Sequence, residues 1–203
     1  MNDSQTIFVV EDDDEVREAI ELFLESRDFR VEGYPSAQAY LDSFDPERTG
    51  CLLLDVRMPG MGGLDLQNRL IAEASHPPII IITGHGDIPM AVRALNAGAV
   101  DFIEKPFNDK QLLESISKAL EIDTAQRDKV KQLKRIRQQL ETLTRREREI
   151  LDMIIEGKRN KVIAYDLGIA LSTVESHRAH LMEKMKADNL SDLMRMMFAV
   201  QDL

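Results

Sequence analysis

The 203-residue chain contains no tryptophan, one cysteine and only 5% aromatic residues. A single cysteine, Cys51, excludes an internal disulfide framework. Its place in the apolar run Cys51-Leu52-Leu53-Leu54 suits a buried thiol better than a nucleophile. Long hydrophobic runs are missing too: Ile79–Ile82 is typical, against the roughly 20 residues a helix needs to cross a bilayer. The N-terminus lacks the basic-then-apolar pattern of a secretion signal. From these absences we expect no membrane attachment and a reducing, cytoplasmic setting. No Walker loop, glycine-rich dinucleotide turn or zinc-protease pattern occurs, which sets aside the enzyme classes those motifs mark.

What is present is an ordinary globular composition, 43% hydrophobic and 31% charged, in a chain long enough for two modest domains. The net charge of −10 argues against a nucleic-acid partner until the chain is divided. Residues 1–128 carry 11 Lys and Arg against 25 Asp and Glu, a net −14, whereas residues 129–203 carry 15 against 11, a net +4. An acidic half joined to a basic half is the asymmetry of a regulator fused to a nucleic-acid binder.

The first ~120 residues alternate short β-type runs with amphipathic helical patterns. Thr6–Val10, Arg30–Tyr34, Cys51–Asp55, Ile79–Thr83 and Asp101–Glu104 read as strands. The third and fourth are almost wholly apolar, as strands buried on both faces of a parallel sheet should be. Val16–Ser26, Ala37–Phe44, Leu64–Ala74 and Pro89–Ala97 read as the intervening helices. These β-α units imply a doubly wound α/β fold. From Asn108 a helical pattern runs on, with no Gly or Pro before Gly157. Its apolar positions Val130, Leu133, Ile136, Leu140 and Leu143 fit either a short coiled-coil seam or a solvated linker helix. After Leu143 four helices are expected, near Arg145–Glu156, Lys161–Leu167, Thr173–Lys186 and Leu190–Val200. Thr144–Glu147 and Ser172–Glu175 both have capping-box spacing. Gly168-Ile169-Ala170-Leu171 is a tight turn suited to a helix-turn-helix.

Glu11 and Asp12 follow the first strand, Asp55 ends the third, Thr83 ends the fourth, and Lys105-Pro106 follows the fifth. In an open parallel sheet these carboxyl ends share one crevice. Three carboxylates there need a counter-ion; hard oxygen ligands suit Mg2+, and a nearby Lys and hydroxyl suit a phosphoryl group. Asp13 and Asp14 read as helix-starting acids rather than ligands.

Residues 1–120 resemble the receiver domain of two-component response regulators. The resemblance is carried by Val9-Val10-Glu11-Asp12, Leu54-Asp55-Val56-Arg57-Met58-Pro59-Gly60, Ile82-Thr83-Gly84-His85-Gly86-Asp87 and Ala99–Phe107. It implies a flavodoxin-like, five-stranded parallel sheet and an acyl-phosphate switch phosphorylated by a sensor histidine kinase. Asp55 would be the phosphoacceptor, with Lys105 its phosphate partner. Mg2+ would be held by Asp12, Asp55, the Arg57 carbonyl and, through water, Glu11, where many members have Asp. Thr83 and Phe102 would be the switch pair, Lys105–Pro106 a cis peptide, and a face including Met90, Val92, Arg93, Leu95, Asn96 and Ala97 the surface that dimerises on phosphorylation.

Residues 143–186 resemble the LuxR/NarL helix-turn-helix, through Leu143–Glu147, Gly157–Ala164, Thr173–Arg178 and Leu181–Met185. Together the two matches point to the FixJ-like subfamily. The implied partner is double-stranded promoter DNA, with RNA polymerase a further candidate. Thr173, Glu175, Ser176 and Ala179 would approach base edges, and Lys158, Arg159, Asn160, Lys161, Arg178 and Lys184 the phosphates. The expected organisation is thus a receiver over 1–120, a helical linker over 121–142 and a small all-α, four-helix DNA-binding domain over 143–203. An aspartyl phosphatase is the rival reading, but such enzymes usually need a second acid two residues after the nucleophile, where this chain has Arg57. A protein-binding adaptor that has lost DNA binding is the second rival, kept open by Glu175.

Overall fold

The computed structural model describes residues 5–73, 76–84 and 88–201. The chain divides into two compact units, Met1–Gln126 and Arg127–Leu203.

In the first unit, β1 (Thr6–Val10), β2 (Arg30–Tyr34), β3 (Gly50–Asp55), β4 (Ile79–Thr83) and β5 (Asp101–Glu104) form one sheet in the order β2-β1-β3-β4-β5. Every pairing is parallel. Side chains alternate strictly between two cores. Phe8, Val10, Leu52, Leu54, Ile79 and Ile81 face α2 (Ala37–Asp42), α3 (Gly63–Ile71) and α4 (Ile88–Asn96). Ile7, Val9, Cys51, Leu53, Ile80 and Ile82 face α1 (Asp14–Glu25) and α5 (Asp109–Glu141). Because both faces are covered, the central strands need apolar residues at every position, which explains their unbroken runs.

Local chemistry sets the helix starts. Asp13 caps α1, its carboxylate accepting from the N–H groups of Glu15 and Val16. Ser36 caps α2 through Ala39. The expected Leu64–Ala74 helix is observed as α3 to Ile71; Ala74, like Ser75, lies outside the described residues. So does His85-Gly86-Asp87, part of the third motif of the receiver resemblance. Between α3 and α4 the fully buried Gln67 donates from Nε2 to the Ala94 carbonyl at 2.8 Å. Near the other end of the sheet, Asp123 of α5 accepts from the Gly50 N–H at 3.0 Å.

The second unit comprises the end of α5 with α6 (Arg145–Ile155), α7 (Asn160–Leu167), α8 (Leu171–Met185) and α9 (Leu190–Gln201). The linker helix is exposed over residues 128–132, while the later part of its apolar seam turns into the second unit. Leu133 and Ile136 are 8% and 2% exposed, and Ile136 and Leu143 belong to the core of the second unit, with Leu140 packed against it. Ile136 and Leu143 are therefore internal to this unit; Val130, at 63% exposure, stays outside.

The Thr144 capping box is present, with hydroxyl and Glu147 carboxylate each bonding the other's backbone. The second box is not. Helix α8 starts earlier than expected, at Leu171, with extended Ala170 as its cap and no side-chain cap bond. Thr173 and Val174 already donate to the Ala170 carbonyl, so Ser172 lies inside the first turn, where its hydroxyl cannot act as a cap. Gly168, at φ 63°, closes α7 in the left-handed conformation and makes the sharp turn into α8.

Gly63 shows how closely the backbone packs beneath the strand-end crevice: a Cβ there would lie 2.1 Å from the Asp55 carbonyl oxygen. Gly63→Ala should therefore destabilise the first unit by about 1–3 kcal/mol. An unchanged urea midpoint would contradict that packing.

Candidate functional site

The sheet brings three separate strand ends together. The ligand oxygens of Glu11, Asp12 and Asp55 all lie within 4.8 Å of one another. Glu11 and Asp55 are buried, 3% and 4% exposed, with Asp12 more open. Lys105 enters from the end of β5, its Nζ 2.8 Å from Asp55 Oδ1 and 2.5 Å from Glu11 Oε2. The other Asp55 oxygen accepts from the Arg57 backbone N–H at 2.6 Å. Arg17 steadies the neighbouring turn by donating to the Glu11 carbonyl at 2.9 Å. The Lys105–Pro106 bond is cis, as the resemblance implies, and Lys105 N–H donates to the Thr83 carbonyl at 2.8 Å.

Burial raises the Glu11 pKa, outweighing the opposing effect of Lys105. For Lys105, burial alone would lower the pKa, but its bonds to Asp55 and Glu11 prevail and raise it. The ammonium is thus held protonated between two carboxylates. One cation against three clustered acids leaves an oxygen-lined, net negative site, a donor set that fits a small hard divalent ion such as Mg2+.

Thr83 is fully buried, and Phe102 is half-buried against the core on the α2–α4 side of the sheet. On α4, Val92 and Leu95 are 49% and 46% exposed, with Arg93 and Asn96 beside them. Met90 differs from its neighbours: it packs inward against the core, so it does not lie on the open face. Sequence reasoning missed Ile88, the most exposed apolar residue of this face at 82%. Its spacing of i, i+4, i+7 with Val92 and Leu95 was the signal that could have found it.

In the second unit, Thr173, Glu175, Ser176 and Ala179 lie exposed along α8, while Val174, Leu181 and Met185 are fully buried. Arg159 and Lys161 are exposed at the start of α7. Lys158 is held by Asp166 at 3.0 Å and Glu156 at 3.2 Å. Arg178 donates to Asn160 Oδ1 at 2.6 Å. Lys184, like Lys158, is paired with an acid. Its Nζ lies 2.7 Å from the buried Glu147 carboxylate, so this ammonium balances a charge inside the unit rather than standing free for a phosphate.

The response regulator receiver domain family model matches residues 7–117, and that of the luxR family of bacterial regulatory proteins matches residues 141–197. The chain belongs to the response regulators. The regulator is 46% identical over 195 residues to the transcriptional regulatory protein FixJ of Rhizobium meliloti, covering 96% of this chain and 95% of that one. It is 41% identical over 203 residues to the response regulator protein TmoT of Ectopseudomonas mendocina, covering 100% and 92%. Among solved structures, response regulator StyR matches at a TM-score of 0.86 and 42% identity, over 96% of this chain and 98% of that one. Full-length FixJ from B. japonicum matches at a TM-score of 0.58 and 39% identity, over 98% of both chains.

As a response regulator, the protein is a phosphorylation-dependent transcriptional regulator rather than an enzyme, with a histidine kinase and DNA as partners. Among the described residues, no helix is both long and apolar enough to cross a membrane.

The regulator's Glu147 gives its second unit a pH signature. Burial would raise this carboxyl's pKa, but the bonds from Lys184 and Thr144 prevail and lower it below the usual 4.5. Its contribution to stability is present above 4.5 and is lost as pH falls through the depressed folded value. Lys184→Met should therefore lower the melting temperature clearly at pH 7, by about 2 kcal/mol of stability, and much less at pH 3. Equal losses at both pH values would contradict the pairing.

Proposed function

We propose that residues 1–120 form a phosphorylation switch with Asp55 as acceptor. A helical linker over 121–142 joins it to a DNA-binding module over 143–203. The observation that carries this reading is the Lys105 ammonium held 2.8 Å from Asp55 Oδ1 beside Glu11 and Asp12. A carboxylate oxygen of Asp55 forms a bond to the phosphorus of a phosphohistidine on the kinase. The P–N bond breaks, the imidazole nitrogen leaves with that electron pair, and Asp55 becomes an acyl phosphate. Lys105 then exchanges its carboxylate contact for the new phosphoryl oxygens. Glu11, Asp12, Asp55 and the Arg57 carbonyl would hold Mg2+, which when bound supplies neutralisation and orientation of those oxygens.

The Thr83 hydroxyl turns toward the phosphoryl group, and Phe102 takes up the space released. This shifts the α4 and β5 face, where Ile88, Val92 and Leu95 offer an apolar stripe to a second copy of the chain. Pairing matters because a net +4 over residues 129–203 makes a single module a weak DNA ligand, and two modules on a two-part site gain by effective concentration. Helix α8 enters the major groove with Thr173, Glu175, Ser176 and Ala179, while Arg159, Lys161 and Arg178 serve the phosphates. Promoter occupancy brings the dimer beside RNA polymerase, and work on chromosomal DNA puts the protein in the cytoplasm.

With acetyl phosphate and Mg2+, the wild-type chain should gain one phosphoryl group and double its mass in light scattering. Asp55→Asn should do neither; a phosphorylated or phosphodonor-dimerised Asp55→Asn chain sinks the assignment. Lys161→Ala should weaken binding to all DNA sequences alike and reduce the salt slope by about 0.9 per module, about 1.8 for the paired chain. A change in sequence preference at constant slope would place Lys161 on a base instead.

A further inference from the structure

We infer that Asn160 is a positioning residue for DNA binding, acting through Arg178. The inference rests on reading α7 and α8 as the DNA-binding pair. Asn160 is the first residue of α7, and Arg178 lies midway along α8, 18 residues later. Their side chains meet across the turn, Arg178 Nη1 donating to Asn160 Oδ1 at 2.6 Å, and both residues are half-buried.

Several surrounding cations are neutralised by carboxylates, whereas Arg159 and Lys161 stand exposed. Lys184 is matched by Glu147, Lys158 by Asp166 and Glu156, and Arg145 and Arg146 by Glu149. Arg178 has a neutral amide for its partner, and among the described residues no carboxylate lies within ion-pair distance of it. A guanidinium carries five N–H donors; one is used here and the full positive charge remains.

That combination suits a phosphate anchor. A free arginine must give up rotamer freedom when it binds, and an acceptor that orients it beforehand reduces that loss. A carboxylate would orient it equally well but would cancel the charge that attracts the phosphate. The helix itself would prefer the acid: Asp in the first turn of α7 interacts favourably with the helix dipole, whereas Asn forgoes that contribution. Asn160 thus keeps Arg178 directed and unneutralised, poised for one backbone phosphate.

The test uses the full chain with acetyl phosphate and Mg2+, and anisotropy of a labelled, mixed-sequence duplex of about 40 bp at roughly 50–200 mM salt. Arg178→Gln should reduce the salt slope by about 0.9 per module, about 1.8 for the paired chain. Asn160→Ala should weaken binding roughly three- to tenfold, yet add nothing in the Arg178→Gln background. Asn160→Asp should also weaken binding and flatten the slope, while its melting temperature holds or rises, a split that a purely structural role would not produce. Additive losses in the double variant, or unchanged affinity of Asn160→Ala, overturn the inference alone. A wild-type chain that ignores the duplex, or binds it without salt dependence, overturns the DNA-binding reading beneath it.

Discussion

Two buried carboxylates, Glu11 and Asp55, share the ammonium of Lys105, and the first unit is arranged around making that contact possible. An uncompensated buried carboxylate costs several kcal/mol. Here the compensating cation comes from a residue 94 positions after Glu11 and 50 after Asp55. Only parallel strands in the order β2-β1-β3-β4-β5 bring those chain segments to the same edge. The apolar interior supplies the energy for this, and the acidic end of the sheet is where part of it is spent. Such a site is poised for a divalent cation, which relieves the negative charge imbalance the fold has already built.

The second unit repeats the theme with the opposite purpose. Glu147 is likewise a buried carboxylate, here paired with the half-exposed Lys184 and completed by the capping box and the Thr144 backbone. The pair joins α6 to α8 and so holds the helix that carries the exposed residues Glu175, Ser176 and Ala179. Where Lys184 is consumed in stability, Arg178 is merely steered by an amide and keeps its charge. Similar basic residues on one helix therefore have different physical duties, decided by whether the acceptor opposite is charged.

Much of this architecture could be read along the chain. All five strands lie within a residue of where β-type runs placed them, most plainly the central ones, which are covered on both faces and tolerate little polar substitution. The strand-end acids, Thr83 and Lys105 were legible for the same reason: strand ends are marked by the point where the apolar run stops. Three features were hidden. The seam from Leu133 to Leu143 has a spacing that serves a partner helix or an internal core equally, and Ile136 and Leu143 are in fact internal. The sequence Ser172–Glu175 satisfies a capping box by spacing, yet the short turn at Gly168 starts α8 at Leu171 and leaves Ser172 inside the helix. Lys184 looks like any exposed lysine until Glu147 is found buried opposite it.

By itself, the sequence determined the βα alternation, the place of each acidic residue at a strand end, and the charge difference between the two halves of the chain. These are local properties: periodicity, turn chemistry and composition, each set by residues a few positions apart. Tertiary structure decided the partners of the charged groups, namely that Lys105 serves Glu11 and Asp55, Lys184 serves Glu147, and Arg178 donates to the neutral Asn160. Electrostatic partnership depends on distance in space and on burial, and neither quantity is a function of separation along the chain.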